Sequence, residues 1–163
     1  MRSRSSGQPV LRRQRRALTL HLQIAVRRTG IPGAAQFRRW ARAALGRPAE
    51  VTVRIVGAAE ARALNRRYRG RDHATNVLSF SYGSSRRVVN GDIVLCAPVI
   101  ARESLAQQKT LEAHFAHLTV HGLLHLQGHD HANARDAARM EALEKRVLAK
   151  VGYPDPYDAN RKS

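Results

Sequence analysis

Cysteine is nearly missing from this chain: Cys96 is the only thiol in 163 residues. No internal disulfide framework can form, so a reducing compartment is the natural setting and a buried small hydrophobe is the ordinary role for the residue. Long apolar runs are missing too. Hydrophobic residues make up 43% of the chain, yet no run approaches the roughly 18 to 20 residues that a membrane span needs. Acidic residues are scarce, 12 Asp+Glu against 29 Lys+Arg, and none occurs from Met1 to Ala49. The resulting formal charge of +17 describes a surface that binds polyanions, because cations that neutralise phosphates release condensed counterions. An arginine-biased genome would explain part of this excess. Arginine nevertheless dominates over lysine, and its planar fork is the better phosphate clamp, so a nucleic-acid or ribonucleoprotein partner is expected.

No internal repeat and no second domain are visible, and the length suits one compact domain. Residues 1–16 read as a disordered basic arm with nothing to bury, residues 17–158 as the domain, and 159–163 as a tail. The Arg- and Ser-rich start resembles an organelle transit peptide in composition, a minor alternative to a cytoplasmic protein, because the arginine excess runs on past any cleavage point. Leu18, Leu20, Leu22 and Ile24 alternate with polar residues as in a half-buried strand, and Val51, Val53 and Ile55 repeat the pattern. Helices are expected over Ala34 to Leu45, Ala58 to Tyr68, Pro98 to Gln108, Leu111 to Gln127 and Asn133 to Val151. The short apolar runs 77–80 and 92–96 are expected to pair through the Gly/Ser/Arg turn between them. A polar loop from Arg69 to Asn76 leads into the first of these.

Four of the eight histidines fall within eleven residues, HGLLHLQGHDH from His121 to His131. At about 100° per residue, His114, His117, His121 and His125 return close to one direction on a helix, so that one face is imidazole and floors a cleft. His121 and His125, at i and i+4, can point two ring nitrogens at one metal ion. Gly128 stops the helix in a conformation glycine takes easily, and the chain turns back so that His131 can supply a third ligand. This H-x3-H-x2-G-x2-H spacing is the ligand frame of metzincin zinc peptidases. Those enzymes carry a glutamate after the first histidine as general base; here that position is Gly122. A three-histidine Zn2+ site with an open fourth position still makes a metal-bound water acidic enough to act near neutrality. His129 would compete as a ligand or stand exposed. Asp130 would orient an imidazole or cap the turn. His114 and His117 would orient ligands, face substrate or be structural.

With these residues in place, the chain resembles the YbeY family of metal-dependent endoribonucleases, the rRNA maturation factors, whose signature HGxLHLxGYDH is matched from His121 to His131 except that His129 replaces tyrosine. The similarity continues through Leu64-Asn65-x-x-Tyr68-Arg69-Gly70-x-Asp72, Thr75-Asn76-Val77-Leu78-Ser79-Phe80, Gly91-Asp92-Ile93-Val94, Glu112-Ala113-His114, Met140-Glu141-x-Leu143-Glu144 and Asp155-Pro156-Tyr157. It covers roughly residues 18 to 157. The resemblance implies a single-domain α+β fold, a small mixed β-sheet of about four strands with helices around it and a metal-binding cleft. It also implies one Zn2+ ion per chain on His121, His125 and His131, and no organic cofactor. Arg69 would be the cleft arginine that meets the RNA, beside Arg66, Arg67 and Arg71, and Asp92 would join the residues that orient ligands or face substrate. The implied activity is single-strand-selective cleavage of rRNA, in maturation of the small-subunit 3′ end and in ribosome quality control. The partners would be rRNA and the small ribosomal subunit. The family's usual proline is Ala74 here. The alternatives are a non-catalytic zinc-containing ribosome-binding factor and, disfavoured by Gly122, a zinc peptidase. Metal hydroxide and the RNA's own 2′-hydroxyl both remain open as attacking groups.

Overall fold

The computed structural model describes residues 17–83 and 87–158, so the expected arm 1–16 and tail 159–163 lie outside the described residues. The alternating stretches become β1 (Leu18–Ile24), β2 (Ala49–Val56), β3 (Val77–Ser81) and β4 (Val89–Cys96). The helical stretches become α1 (Ala34–Ala44), α2 (Ala58–Arg69), α3 (Ala97–Ala106), α4 (Leu111–Leu126) and α5 (Ala134–Lys150). Every expected element is present, most with ends displaced by one or two residues. The four strands form one mixed sheet in the order β1-β2-β4-β3. β1, β2 and β4 run parallel, with Leu20 opposite Val51 and Val51 opposite Gly91. β3 lies antiparallel on the edge beside β4, Ser79 opposite Ile93, as the pairing of two short apolar runs requires.

Period-two alternation sorts the sheet into two faces. Leu20, Val51, Val53, Ile55, Ile93 and Leu95 point to one side and pack with Phe37 and Trp40 of α1, Phe115 and Leu123 of α4 and Leu148 of α5. Val56, Val94 and Cys96 point to the other, where they meet Ala61 of α2 and Val99 of α3. Cys96 is thus a core residue, and burial pushes its thiol pKa up.

Two glycines set how closely α4 lies on the sheet. A Cβ on Gly91 would stand 2.4 Å from the Phe80 carbonyl oxygen and 2.7 Å from Leu126 Cδ2. One on Gly122 would stand 3.1 Å from Ser79 Oγ and 3.2 Å from Ile93. The close approach buries eleven of the sixteen residues of α4, including both of its N-terminal histidines. Among the described residues no helix is long and apolar enough to cross a membrane.

Candidate metal centre

The helix that carries the histidines starts and stops for local reasons. Thr110 caps it, its hydroxyl oxygen accepting the Ala113 N–H at 3.1 Å, and Glu112 sits in the first turn against the helix dipole. At the other end Gly128 adopts φ +94°. The His129 N–H then bonds the Leu124 carbonyl at 3.1 Å and the Gly128 N–H bonds the His125 carbonyl at 3.0 Å, the paired closure of a Schellman turn. This reversal returns the chain toward α4, and the Asp130 carboxylate accepts the His131 N–H at 2.7 Å to hold the turn.

The outcome is a cluster of His121, His125 and His131 whose ligand atoms all lie within 4.8 Å of one another. His121 Nε2 and His125 Nε2 are 3.1 Å apart, close to the ~3.3 Å that two imidazoles on one tetrahedral zinc would show. Ring centroids lie 5.0 Å apart for His125 and His131 and 5.8 Å for His121 and His131. Burial, with His121 and His131 nearby, pushes the His125 pKa down, so its lone pair is available to a metal. Three converging imidazoles, one on the exposed side of the cluster, fit a single ion with an open position. His129 is exposed and outside the cluster. Asp130 caps the turn, and its carboxylate is 3.9 Å from His131 Nδ1, beyond hydrogen-bond reach.

Behind the cluster stands a residue that the sequence motifs contain but to which spacing gave no role. Glu144 of α5 is wholly buried. Its Oε1 accepts a hydrogen bond from His121 Nδ1. Its Oε2 meets His117 Nε2 at 3.1 Å and accepts the Tyr157 hydroxyl. Burial alone would raise this carboxyl, but the hydrogen bonds from His117, His121 and Tyr157 outweigh it and hold the pKa at about 2. Conversely, burial and the Glu144 carboxylate drive the Tyr157 pKa upward. A carboxylate on Nδ1 fixes the His121 tautomer with its proton there and Nε2 free as a ligand. The available signal was a glutamate on the apolar stripe of α5, four residues after Met140 and four before Leu148. A cavity of about 240 Å³ opens beside these groups, lined by His121, His131, Met140, Glu144 and Tyr157.

The other expected residues sort by depth and by face. His117 is not one of the three converging histidines: its Nε2 meets Glu144, and its ring stands edge-on to His121 with centroids 6.4 Å apart. His114 is deeper, its Nε2 3.5 Å from Glu103 Oε1 without hydrogen-bond geometry, and burial pushes its pKa down. Glu103, which sequence reasoning did not single out, is held by the Asn76 amide at 2.9 Å. Gly122, in the position of the peptidase glutamate, faces Ser79 and Ile93 of the sheet and not the cleft. Asp92 is not brought to the histidines: it alternates with Gly91 and Ile93, which face α4, and so lies on the opposite face of the sheet, bonded to the Tyr82 hydroxyl at 2.7 Å. Arg66, Arg67 and Arg69 are exposed in the last turn of α2 and Arg71 in the loop beyond. Tyr68 packs edge-on against Phe80, with ring centroids 5.1 Å apart. Ser79 bonds the Gly122 carbonyl on the α4 side, so Phe80 and the adjoining end of α2 lie across the edge strand from the histidines.

Comparison with known proteins gives a consistent answer. The family model described as Endoribonuclease YbeY matches residues 32–152. The chain is 60% identical to Endoribonuclease YbeY of Aromatoleum aromaticum over 144 residues, covering 88% of this chain and 93% of that one. It is 54% identical to the protein of the same name in Nitrosomonas eutropha, over 83% of this chain and 96% of that one. Among solved structures, the solution structure of TM1509 from Thermotoga maritima aligns with a TM-score of 0.54 at 21% identity, over 82% of this chain and 91% of that one, which supports the fold.

Proposed function

This chain belongs to the endoribonuclease YbeY family, and we propose that it is a metal-dependent endoribonuclease that cuts single-stranded rRNA, in maturation of the small-subunit 3′ end and in ribosome quality control. The observation that carries this reading is the convergence of His121, His125 and His131 with a buried carboxylate directly behind the first of them. The all-imidazole donor set suits Zn2+, which when bound would polarise a phosphate oxygen and acidify water at the open position. Glu144 keeps the His121 proton on Nδ1 and its Nε2 lone pair directed at the site. Burial and the neighbouring imidazoles push the His125 pKa down, so that a proton competes poorly with a cation for its ring nitrogen. His131, on the exposed turn, leaves one side of the cluster accessible to a flexible strand.

The arginines at the end of α2 supply the phosphate affinity. Arg69 presents a permanently charged fork that can hold two phosphate oxygens, and Arg66, Arg67 and Arg71 extend the basic strip along the backbone. A cytoplasmic setting fits both the ribosomal substrate and the reduced, buried Cys96.

The test is to purify the protein, quantify bound metal, and follow cleavage of single-stranded and duplex rRNA fragments by wild type, His121→Ala and Arg69→Glu. About one Zn2+ per chain and preferential cutting of the single strand are expected, with loss of metal and activity in His121→Ala and weak cutting by Arg69→Glu. A His121→Ala protein that loses metal yet cuts at the wild-type rate would assign the activity to a contaminant. Equal cutting by wild type and Arg69→Glu would remove Arg69 from the reaction. Product ends decide the attacking group: a 2′,3′-cyclic phosphate would exclude direct hydrolysis.

A further inference from the structure

On the face of the sheet turned away from the histidines, α2 and the β3–β4 ladder enclose a groove of about 500 Å³. Its rim carries two of the few large apolar side chains left exposed, Tyr68 at 57% and Tyr82 at 58%. Tyr68 is already in use, with the Arg67 guanidinium 5.4 Å from its ring centroid and the Phe80 edge against it. Tyr82 has no ring partner among the described residues. Its orientation is fixed nonetheless, because its hydroxyl donates to Asp92 Oδ2 at 2.7 Å. The other Asp92 oxygen accepts no side-chain hydrogen bond among the described residues.

The charges in the groove are arranged unusually for so basic a protein. Among the described residues Arg54 is the one cation lining it, and it is committed: two of its nitrogens bond the Glu60 carboxylate at 2.6 and 2.7 Å, and a third reaches Gln23 at 3.3 Å. Arg54 and Glu60 neutralise each other, so among the described residues the Asp92 carboxylate gives the floor its net charge and makes it hostile to phosphate. The exposed arginines Arg66, Arg67 and Arg69 stand outside, along the last turn of α2. A backbone of phosphates is thus attracted to the rim, whereas the interior offers an aromatic plane and a carboxylate. This is the division of labour by which single strands are held, phosphates on cations and bases on aromatic rings.

We propose that this groove binds one unstacked, amino-bearing nucleobase of a single-stranded RNA, with Tyr82 as the stacking surface and Asp92 as acceptor for the exocyclic amine. The proposal rests on the reading of the chain as an endoribonuclease that acts on RNA. Cytosine, adenine and guanine each present an amine, whereas uracil presents a carbonyl oxygen at the equivalent position and would face a carboxylate with no proton between them. The site would therefore hold the strand across the edge strand from the metal centre and bias which sequence is presented for cutting.

The experiment uses the full chain and two fluorescently labelled RNAs, a hexacytidylate and a hexauridylate, with binding measured by anisotropy. Cleavage of a longer rRNA fragment is followed in parallel. Wild type is expected to bind the cytidylate several-fold more tightly. Asp92→Asn, whose amide can donate to the uracil carbonyl, should abolish the preference. Tyr82→Leu should weaken both oligomers by about tenfold, the size of one lost base–aromatic stack. Asp92→Asn is isosteric at a half-buried position and Tyr82→Leu shortens an exposed side chain, and matching thermal unfolding curves check the fold. If wild type cuts rRNA while both variants keep its affinity and its base preference, the groove proposal fails and the endoribonuclease reading stands. If the variants keep RNA affinity but lose binding to small ribosomal subunit proteins, the groove serves a protein partner and the proposal likewise fails. A wild type that neither binds nor cuts any RNA overturns both readings together.

Discussion

A buried carboxylate is costly unless its oxygens are answered by donors, and Glu144 has three, His117, His121 and Tyr157. The hydrogen bond to Nδ1 of His121 makes it a positioning residue for the proposed metal centre. Glu144→Gln is expected to lower metal affinity by about 10- to 100-fold, measured by competition with a chromophoric chelator, with the rings of His125 and His131 still free to bind. Tyr157→Phe removes one donor from the same carboxylate and should cost about 1–2 kcal/mol in denaturant unfolding, with a smaller effect on metal. Gly122 behaves differently. Its Cβ would press on Ser79 and Ile93, so Gly122→Ala should destabilise by about 1–3 kcal/mol through α4 lifting from the sheet. At this scale the clustering of His121, His125 and His131 was legible in sequence because their spacing is local. Glu144 was not, because its partners lie 23 and 27 residues away on another helix.

Turns at the ends of α4 govern how the elements meet. Gly128 takes φ +94°, and a Cβ there would meet nothing within 4 Å, so Gly128→Ala would be strained by backbone conformation alone. The expected cost is about 1–2 kcal/mol, together with weaker metal binding, because the reversal that returns His131 is the element being strained. At the other end Gln108 holds φ +54° without being glycine. Gln108→Gly should raise stability by up to about 1 kcal/mol, read from the denaturant midpoint. The joint between β2 and α2 responds to acid. The hydrogen bonds from Arg54 lower the Glu60 pKa below its ordinary value, so that stabilisation is complete above the unfolded-state pKa and is lost as pH falls through the folded one. Wild type and Glu60→Gln should therefore differ in stability at neutral pH and converge in acid. Helix and strand identities were legible from periodicity, whereas the closeness of α4 to the sheet depends on Gly91 and Gly122 meeting particular atoms of β3, β4 and the helix itself.

Across the whole molecule the dominant property is charge, +17 with 29 basic residues. RNA affinity should accordingly fall steeply with salt. About four phosphate contacts to a single strand would lose roughly 50-fold between 50 and 200 mM monovalent salt, and the slope measured for wild type should flatten by close to one contact in Arg69→Glu. Opposite faces of one sheet carry different chemistry, with the histidine cluster under α4 and the aromatic, acceptor-rich groove under α2. β3 is the edge strand between them. The alternation of Gly91, Asp92 and Ile93 is what separates Asp92 from the histidines, although it lies in a stretch with the same family resemblance.

By itself the sequence determined the order of elements, the basic composition and the spacing that brings three imidazoles together, while the α+β class came through the family resemblance. The first three are written in composition or in spacing over a few turns of chain, where geometry is imposed by the backbone. Only the tertiary structure decided that His129 stands outside the cluster, that Glu144 rather than Asp130 or Asp92 accepts a hydrogen bond from a histidine ring of the cluster, and that Gly122 is a packing contact. Those outcomes depend on which faces of α4, α5 and the sheet are brought together, and burial and distance between remote residues exist only after the chain has packed.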